Sequence, residues 1–179
     1  MRVLNIDQRG LGPFFISMQK RQKSPIETES ELRSLAFSYL ARQEYSQSQL
    51  RERLVKRCEE PDLIERVLAY LVEEGYQSDS RFAESYIRAK SDQGQGGKKI
   101  AFDLNRKGIP KNLIADLLDK REVDSKQVAL DYLKRKFGEE PPVDMKEKAK
   151  WFRHMAGRGF DYGEIEYAFR YQNSDPDYD

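Results

Sequence analysis

The chain has 179 residues, of which 35% are charged and 38% hydrophobic, and its 32 basic side chains nearly balance its 31 acidic ones. Because Cys58 is the only cysteine, an internal disulfide is excluded, which suits a reducing compartment. No apolar run approaches the ~20 residues that a membrane-spanning helix needs, and the start of the chain lacks the pattern of a signal peptide, so we expect a cytoplasmic protein.

Residues 1–30 differ from the rest of the chain because glycine and proline interrupt any periodic pattern there. Gly10, Gly12 and Pro13 lie in its middle, and a polar, basic stretch follows. Such a composition favours loops over regular elements. We therefore expect residues 1–30 to form a flexible N-terminal arm.

Apolar residues at helical spacing begin just after residue 30 and predict a first helical repeat over residues 31–78. The first stripe follows the i, i+3, i+4, i+7, i+8 pattern of one helix face. Its members are Leu32, Leu35, Ala36, Tyr39 and Leu40.

Two more helices are expected in this repeat. Ser46 is a good N-cap for the second helix, because its hydroxyl can accept a bond from a free first-turn amide. The inner stripe of that helix is Leu50, Leu54 and Val55. Pro61 suits the first turn of a third helix, and Gly75 suits the left-handed residue that ends it.

The second repeat is expected over residues 79–121, with Asp79 as the N-cap of its first helix. A Gly94-x-Gly96-Gly97 turn and then Gly108 separate its helices. The inward stripes are Phe82, Ala83, Tyr86 and Ile87, then Ile100, Ala101 and Leu104, then Leu113, Ile114, Leu117 and Leu118. The glycine-rich turn follows a helix and lacks the Lys-Ser ending of a phosphate-binding loop, so we interpret it as a flexible turn.

The third repeat is expected over residues 122–172, followed by a frayed tail over residues 173–179. Its first helix starts near Asp124, and Gly138, Pro141 and Pro142 lengthen the connection that follows. The later stripes are Met145, Ala149, Phe152 and Met155, then Ile165, Ala168 and Phe169, with Trp151 enlarging the core.

A common pattern links the three repeats. An apolar residue, Ala, two variable residues, Tyr and an apolar residue recur at 35–40, 82–87 and 128–133. The copies lie about 45–50 residues apart, a spacing typical of repeated supersecondary units. The sequence therefore predicts an all-α protein, an elongated tandem array of three three-helix repeats with about nine helices.

The densest positive region lies in the second repeat, where residues 80–111 contain eight basic and three acidic side chains. Lys and Arg bind a nucleic-acid backbone by releasing its counterions, so this region is a candidate contact for phosphates or for an acidic protein surface. The alternative is a solvated helix face. The candidate partner-binding residues are Arg81, Arg88, Lys90, Lys98, Lys99, Arg106, Lys107 and Lys111.

The repeated tyrosines, Tyr39, Tyr86 and Tyr132, have two interpretations. They could be stacking platforms for bases, as aromatic residues are in single-strand binders. Each, however, falls in an apolar stripe at helical spacing, which favours a place in the core with the hydroxyl at its edge.

The second and third helices of each repeat also resemble a helix-turn-helix, a motif that docks its last helix in the DNA major groove. The corresponding helices here carry acidic residues, among them Asp116, Asp119, Glu164 and Glu166. These carboxylates disfavour sequence-specific DNA readout. A stand-alone DNA-binding protein with helix-turn-helix-like modules is kept as the alternative function.

No residue pattern indicates catalysis. His154 is the only histidine, so a pair of catalytic histidines or a histidine-rich metal site cannot form within one chain. Cys58 has no histidine near it in sequence, and the carboxylates show no recognisable spaced pair. We expect no enzymatic activity, no cofactor and no metal.

With its repeats laid out, the chain resembles the RecX family of regulatory proteins over residues from about 31 to 172. The most specific stretch is 75–83, GYQSDSRFA, which contains the glycine-tyrosine, aspartate and arginine-phenylalanine-alanine run of that family. Matching turns are found at 42–46, 105–109 and 158–160. Gln77 and Ser78 depart from the family pattern, which more often has leucine and aspartate at these positions.

The resemblance implies an array of three three-helix modules. It also implies that the protein binds the RecA recombinase filament and acts as a monomer. The implied processes are the regulation of recombination, DNA repair and the SOS response. It further implies that the protein inhibits the ATPase and recombinase activities of the filament. Contact with single- or double-stranded DNA is expected to be weak or to occur within the filament. The resemblance carries over no catalytic residue and no cofactor.

Overall fold

A computed structural model of the protein describes residues 24–120 and 122–173, with side chains for all of these except 122–124. Residues 1–23 of the expected arm and residues 174–179 of the expected tail lie outside the described residues. Over the described part of the chain there are nine helices and no strand, which confirms the predicted all-α class. The helices are α1 (Glu29–Leu40), α2 (Gln47–Val55), α3 (Pro61–Glu73), α4 (Asp79–Asp92), α5 (Gly97–Arg106), α6 (Lys111–Asp119), α7 (Glu122–Phe137), α8 (Met145–Gly157) and α9 (Tyr162–Arg170).

The first module, α1 to α3, is held by apolar stripes on its three helices, and the stripes of α1 and α2 largely follow the sequence prediction. Its fully buried side chains are Leu32, Ala36, Leu50, Leu54, Val67 and Leu71. The predicted cap is confirmed, because Ser46 and Gln49 form a reciprocal capping box at the start of α2. Val55 is wrong as a core residue: it is the last residue of α2 and is 56% exposed.

The chain just before α1 packs on this module. Ile26 lies against the first core, and its backbone N–H donates to the carbonyl of Arg57 at 2.7 Å. Thr28 then caps α1 by accepting from the N–H of Glu31. Residues 26–28 are therefore anchored to the first module.

The second module, α4 to α6, encloses a core of eight buried side chains. They are Phe82, Ala83, Ile87, Ile100, Leu104, Ile109, Ile114 and Leu117. The expected cap of α4 is corrected by one residue, since Ser78 is the N-cap and accepts from the N–H of Arg81. Asp79 is the first residue of α4, and its carboxylate accepts a hydrogen bond from the first module.

The third module, α7 to α9, encloses a core that includes Ala129, Leu130, Leu133, Met155, Phe160, Ile165 and Ala168. Trp151 is buried as predicted, and its ring stacks on that of Phe137 with the centroids 4.6 Å apart. Met145 and Ala149 were wrongly assigned to the inner stripe of α8. Both residues are exposed. Met145 is 78% exposed because it is the first residue of α8, where no earlier helical turn covers its side chain.

The first and second modules meet at a joint built around the N-terminus of α2. The hydroxyl of Ser46 donates to the carbonyl of Lys107 at 2.6 Å, and the Asp79 carboxylate accepts from the N–H of Gln47 at 2.8 Å. Gly108 lies against Ser48 so closely that a side chain there would overlap it. We call this contact the first joint.

The second and third modules meet in the same way, one repeat further along. The N–H of Gly96 donates to the carbonyl of Arg158 at 3.0 Å, and that of Lys98 to the carbonyl of Gly159 at 3.1 Å. Positions 96 and 158 follow positions 46 and 107 by one repeat length. We call this contact the second joint.

The expected flexible turn at 94–97 is therefore part of a packed contact. Gly94 has a left-handed φ of 69°, and its carbonyl accepts from the guanidinium of Arg158 at 3.0 Å. A side chain at Gly96 would overlap the backbone of residues 159 and 160. The glycines permit close approach of two modules.

Candidate binding surface

The eight basic candidates all lie on or beside the second module. They point outward because α4 to α6 turn their apolar stripes towards the core. Arg81, Arg88, Lys98, Lys99, Arg106 and Lys111 are exposed, and Lys90 and Lys107 are partly buried. They do not form one cluster. The side chains divide into groups with different neighbours.

Lys90 and Lys107 are brought together by Tyr86. Their ammonium nitrogens lie 5.6 and 5.3 Å from the centre of its ring, within the range of a cation–π contact. The tyrosine hydroxyl donates to a carboxylate oxygen of Asp103 at 3.4 Å. Burial, with help from the charge of Asp103, raises the pKa of Tyr86 above its ordinary value, so the ring stays neutral beneath two cations.

A second group lies along the outer face of α5. Lys99 and Arg106 are both exposed, and between them Phe102 is 62% exposed. The guanidinium carbon of Arg106 lies 5.8 Å from the centre of the Phe102 ring. Phe102 is not among the predicted binding residues, although its position in the sequence indicates exposure: it falls outside the stripe formed by Ile100 and Leu104.

Lys98 faces the third module instead. Together with Glu164, Asp161 and Gln95 it lines a cleft of about 410 Å³ between the second and third modules. Glu164 is buried, and this burial raises its pKa above the ordinary value, while the charge of Lys98 acts weakly in the opposite direction. Lys98 thus lies beside the third module and not on the open face of α5.

Arg81 is committed to a structural contact. Its guanidinium donates to the carbonyl oxygens of Gly75 and Tyr76 at 2.9 and 3.0 Å and pairs with Glu44 at 3.0 Å. These bonds tie the start of α4 to the first module. A role for Arg81 in partner binding would compete with them.

The tyrosines of the repeated pattern mostly serve the cores, as predicted. Tyr132 is buried, whereas Tyr39 and Tyr86 are partly buried against their modules. The Tyr132 hydroxyl lies 2.8 Å from His154 Nε2, at the edge of the core. None of the three offers an open ring comparable to Phe102.

Comparison with known proteins identifies the family. Models of the first, second and third three-helix domains of RecX match residues 28–71, 78–118 and 123–169. The chain belongs to the RecX family. This confirms the resemblance seen in residues 75–83.

Individual RecX proteins extend this match. The regulatory protein RecX of Chromohalobacter salexigens is 37% identical over 140 residues, 78% of this chain and 91% of the relative. That of Neisseria meningitidis is 37% identical over 143 residues, 80% of this chain and 92% of the relative. A crystal structure of RecX from Lactobacillus salivarius has the same fold, with a TM-score of 0.71 at 21% identity, covering 81% of this chain and 96% of that one.

Among residues 24–120 and 122–173, no helix combines the length and apolar character needed to cross a membrane. Nor do three or more His, Cys, Asp or Glu side chains in that part of the chain gather in a way that could hold a metal ion.

Proposed function

We propose that the protein is a non-enzymatic regulator that binds the RecA–DNA filament and lowers its recombinase and ATPase activities, acting as a cytoplasmic monomer. The observation that carries the proposal is the match of all three modules, in order, to the RecX domains. The relatives at 37% identity are named regulatory proteins. The basic outer surface of the second module supplies the contact with an anionic partner.

The two joints support a rod-like mode of binding. The first joint is held by hydrogen bonds of the Ser46 hydroxyl and the Asp79 carboxylate, and the second by backbone hydrogen bonds. Each joint also has a glycine in close contact with the neighbouring module, which leaves little freedom for one module to turn against the next. Three modules held in this way can contact successive subunits of a helical filament at once. The cations of α4, α5 and α6 then face DNA phosphates or an acidic recombinase surface.

The competing function, a stand-alone DNA-binding protein, finds less support on the exposed faces. In α6 the exposed residues include Asp116 and Asp119, beside Lys111 and Asn112. In α9 Glu164 is buried, so of the two predicted carboxylates only the partly exposed Glu166 faces outward. Carboxylates on a recognition helix would oppose entry into the negatively charged major groove.

A three-way binding experiment separates the two functions. The tagged protein is incubated with preassembled RecA–DNA filament, with naked single-stranded DNA and with naked duplex, and RecA ATPase is measured in parallel. Our proposal predicts retention on the filament and inhibition of the ATPase. Sequence-selective duplex binding without any effect on the filament would favour the stand-alone DNA-binding protein.

The role of the basic surface is tested by charge reversal. The triple variant Lys99→Glu, Arg106→Glu and Lys107→Glu should lose filament binding and ATPase inhibition, and its circular dichroism should stay helical. Binding by the parent protein should also weaken with added salt, because screening and loss of counterion release both reduce the attraction. Lys98 is spared because it lines the cleft towards the third module, where its charge acts on the buried Glu164.

A matched control has the same change in net charge outside the second module. Arg42→Glu, Lys56→Glu and Arg170→Glu replace three exposed cations of the first and third modules. This variant should inhibit nearly as well as the parent protein. If the reversal on α5 has no larger effect than the control, the basic surface is only a solvated face.

A further inference from the structure

Phe102 is an exposed aromatic residue in a setting that calls for an explanation. It lies in the middle of α5, a ten-residue helix whose inward residues are Ile100 and Leu104. Its side chain is 62% exposed, and it is absent from the residues that pack against the core of the second module. An exposed phenylalanine does nothing for this core, and a lysine or glutamine would serve helix formation better.

The neighbours of Phe102 on the helix surface are all polar, and none is acidic. In an α-helix the residues three and four positions away share a face with a given residue. For Phe102 these are Lys98, Lys99, Asn105 and Arg106. Asp103, the one carboxylate of α5, is partly buried and accepts a hydrogen bond from Tyr86. The helix positions around Phe102 therefore carry three cations and an amide; Arg106 lies against the ring, whereas Lys98 also lines the cleft towards the third module.

We propose that Phe102 is a stacking platform for an unpaired base, so that this face of α5 binds single-stranded nucleic acid, with Lys99 and Arg106 on the flanking phosphates. The inference deepens the proposed function, since it names the ligand of the basic surface. Single-strand binders combine an exposed aromatic ring with cations that follow the backbone. Lys99 and Arg106 lie on either side of the ring, about 10.5 Å apart along the helix axis at 1.5 Å per residue.

Duplex DNA fits this arrangement less well. Its bases are already stacked on one another, so a ring on a helix surface reaches a base face only after a nucleotide has been extruded, which costs free energy. The cations alone would bind single strand and duplex by charge. The ring adds a preference for single strands.

A protein pocket fits it less well too. Aromatic hot spots of protein interfaces are surrounded by contacts that exclude water. Here the surrounding positions carry Lys98, Lys99 and Arg106, whose charged groups would have to lose water with the ring. A nucleic-acid strand offers a flat apolar base beside anionic phosphates, which matches both the ring and the cations.

The test replaces the ring while the charges stay in place. Binding to fluorescein-labelled oligo(dT) is measured by anisotropy for the parent protein and for Phe102→Leu, Phe102→Ala and Phe102→Trp. Loss of base stacking should weaken binding about 5- to 150-fold for Phe102→Ala, and Phe102→Leu should also bind clearly more weakly. Phe102→Trp should bind as well as the parent, with tryptophan fluorescence quenched by the oligonucleotide.

Tyr162 provides a matched control. It is another exposed aromatic residue, 68% exposed, on α9 of the third module. Tyr162→Leu should leave oligo(dT) binding unchanged, as all four variants should leave the melting temperature. The stacking role is overturned if Phe102→Leu binds oligo(dT) like the parent, if Tyr162→Leu weakens binding equally, or if Phe102→Trp shows no quenching on saturation.

Filament binding by the same variants separates this inference from the proposed function. One outcome is that the parent protein does not bind the RecA filament, while Phe102→Leu binds oligo(dT) more weakly than the parent. The regulatory proposal would then be wrong and the stacking role would stand. If instead Phe102→Leu keeps its affinity for oligo(dT) and loses filament binding, the ring anchors in a protein pocket. That result overturns the stacking role and leaves the regulatory proposal in place.

Discussion

Gly96 and Gly159 touch through their backbones, and a Cβ atom on residue 96 would overlap the carbonyl group of Gly159. This contact lies at the second joint, where the N-terminus of α5 meets the turn between α8 and α9. At the first joint the same two places are held by Ser46 and Gly108. At the first joint the side-chain hydroxyl of Ser46 binds the turn of the next module. At the second joint the backbone N–H of Gly96 binds the corresponding turn.

Replacement of Gly96 by alanine should loosen the second joint. The added methyl group meets backbone atoms of Gly159 and Phe160, which cannot rotate away, so we expect a loss of about 1–3 kcal/mol in unfolding free energy, as for overpacked sites. Urea denaturation followed by circular dichroism measures this loss.

The neighbouring glycine is the control for this prediction. A methyl group on Gly97 would meet only the end of the Leu118 side chain, at 3.9 Å, which is ordinary contact. Gly97→Ala should be neutral or stabilise by up to about 1 kcal/mol, because it reduces the entropy of the unfolded chain. Equal effects at the two positions would show that the contact with Gly159 does not restrict residue 96.

Ser46→Ala should cost more than an ordinary loss of a helix cap. The Ser46 hydroxyl accepts from the N–H of Gln49 at 3.2 Å and also donates across the first joint to Lys107. A cap alone is worth about 0.5–2 kcal/mol, and a further hydrogen bond adds about 0.5–1.5 kcal/mol. Thr28→Ala removes a cap that serves α1 alone, so the difference between the two variants in unfolding free energy isolates the joint.

The sequence predicted what depends on neighbours along the chain. Ser46 as a cap and Gly75 as a left-handed end, with φ of 71°, follow from local hydrogen bonding and backbone sterics. The inward position of Ile87 follows from helical spacing. These features depend on residues a few positions apart, which a single sequence displays directly.

What it missed depends on pairs far apart in sequence. The bond from Ser46 to Lys107 spans 61 residues, and the guanidinium of Arg158 reaches the carbonyl of Gly94 over 64. Charge alone could not show that Arg81 is bound to carbonyl groups while Arg106 lies against Phe102. The prediction for Val55 was also wrong, because this residue has the spacing of a core residue but is the last residue of α2 and is 56% exposed.

The core of the second module gives a direct stability test. Ile87 is 2% exposed, and Ile87→Ala should cost about 2–5 kcal/mol, since it removes buried methyl groups and leaves a cavity. Arg88→Ala, at the next and exposed position, should change the unfolding free energy by less than about 0.5 kcal/mol. An unchanged melting temperature for Ile87→Ala would contradict the packing described for α4.

Glu164 and Glu65 should respond to pH in opposite directions. Burial raises the pKa of Glu164 above its ordinary 4.5, so folding favours the neutral form of this carboxyl relative to the unfolded chain. The stability that this carboxyl contributes is fully present below its pKa in the unfolded chain. It is lost as the pH rises through the raised pKa of the folded protein. The hydrogen bonds from Arg51 lower the pKa of Glu65, so its contribution is complete above the unfolded pKa and is lost as the pH falls through the lowered one.

Two glutamine variants, unfolded in urea on both sides of the ordinary carboxyl pKa of 4.5, check these signs. The Glu164→Gln variant should gain stability relative to the parent protein as the pH rises, because glutamine carries no charge into the buried site and its amide oxygen can still accept from the N–H of Asp161. The Glu65→Gln variant should lose stability relative to the parent over the same rise, since the bidentate pair with Arg51, at 2.7 and 2.8 Å, needs the carboxylate. Added salt should shrink the effect at the exposed Glu65 more than the effect at Glu164, because screening acts mainly on exposed charges. If both differences changed with pH in the same direction, the contrast between a buried carboxyl and a paired one would be wrong.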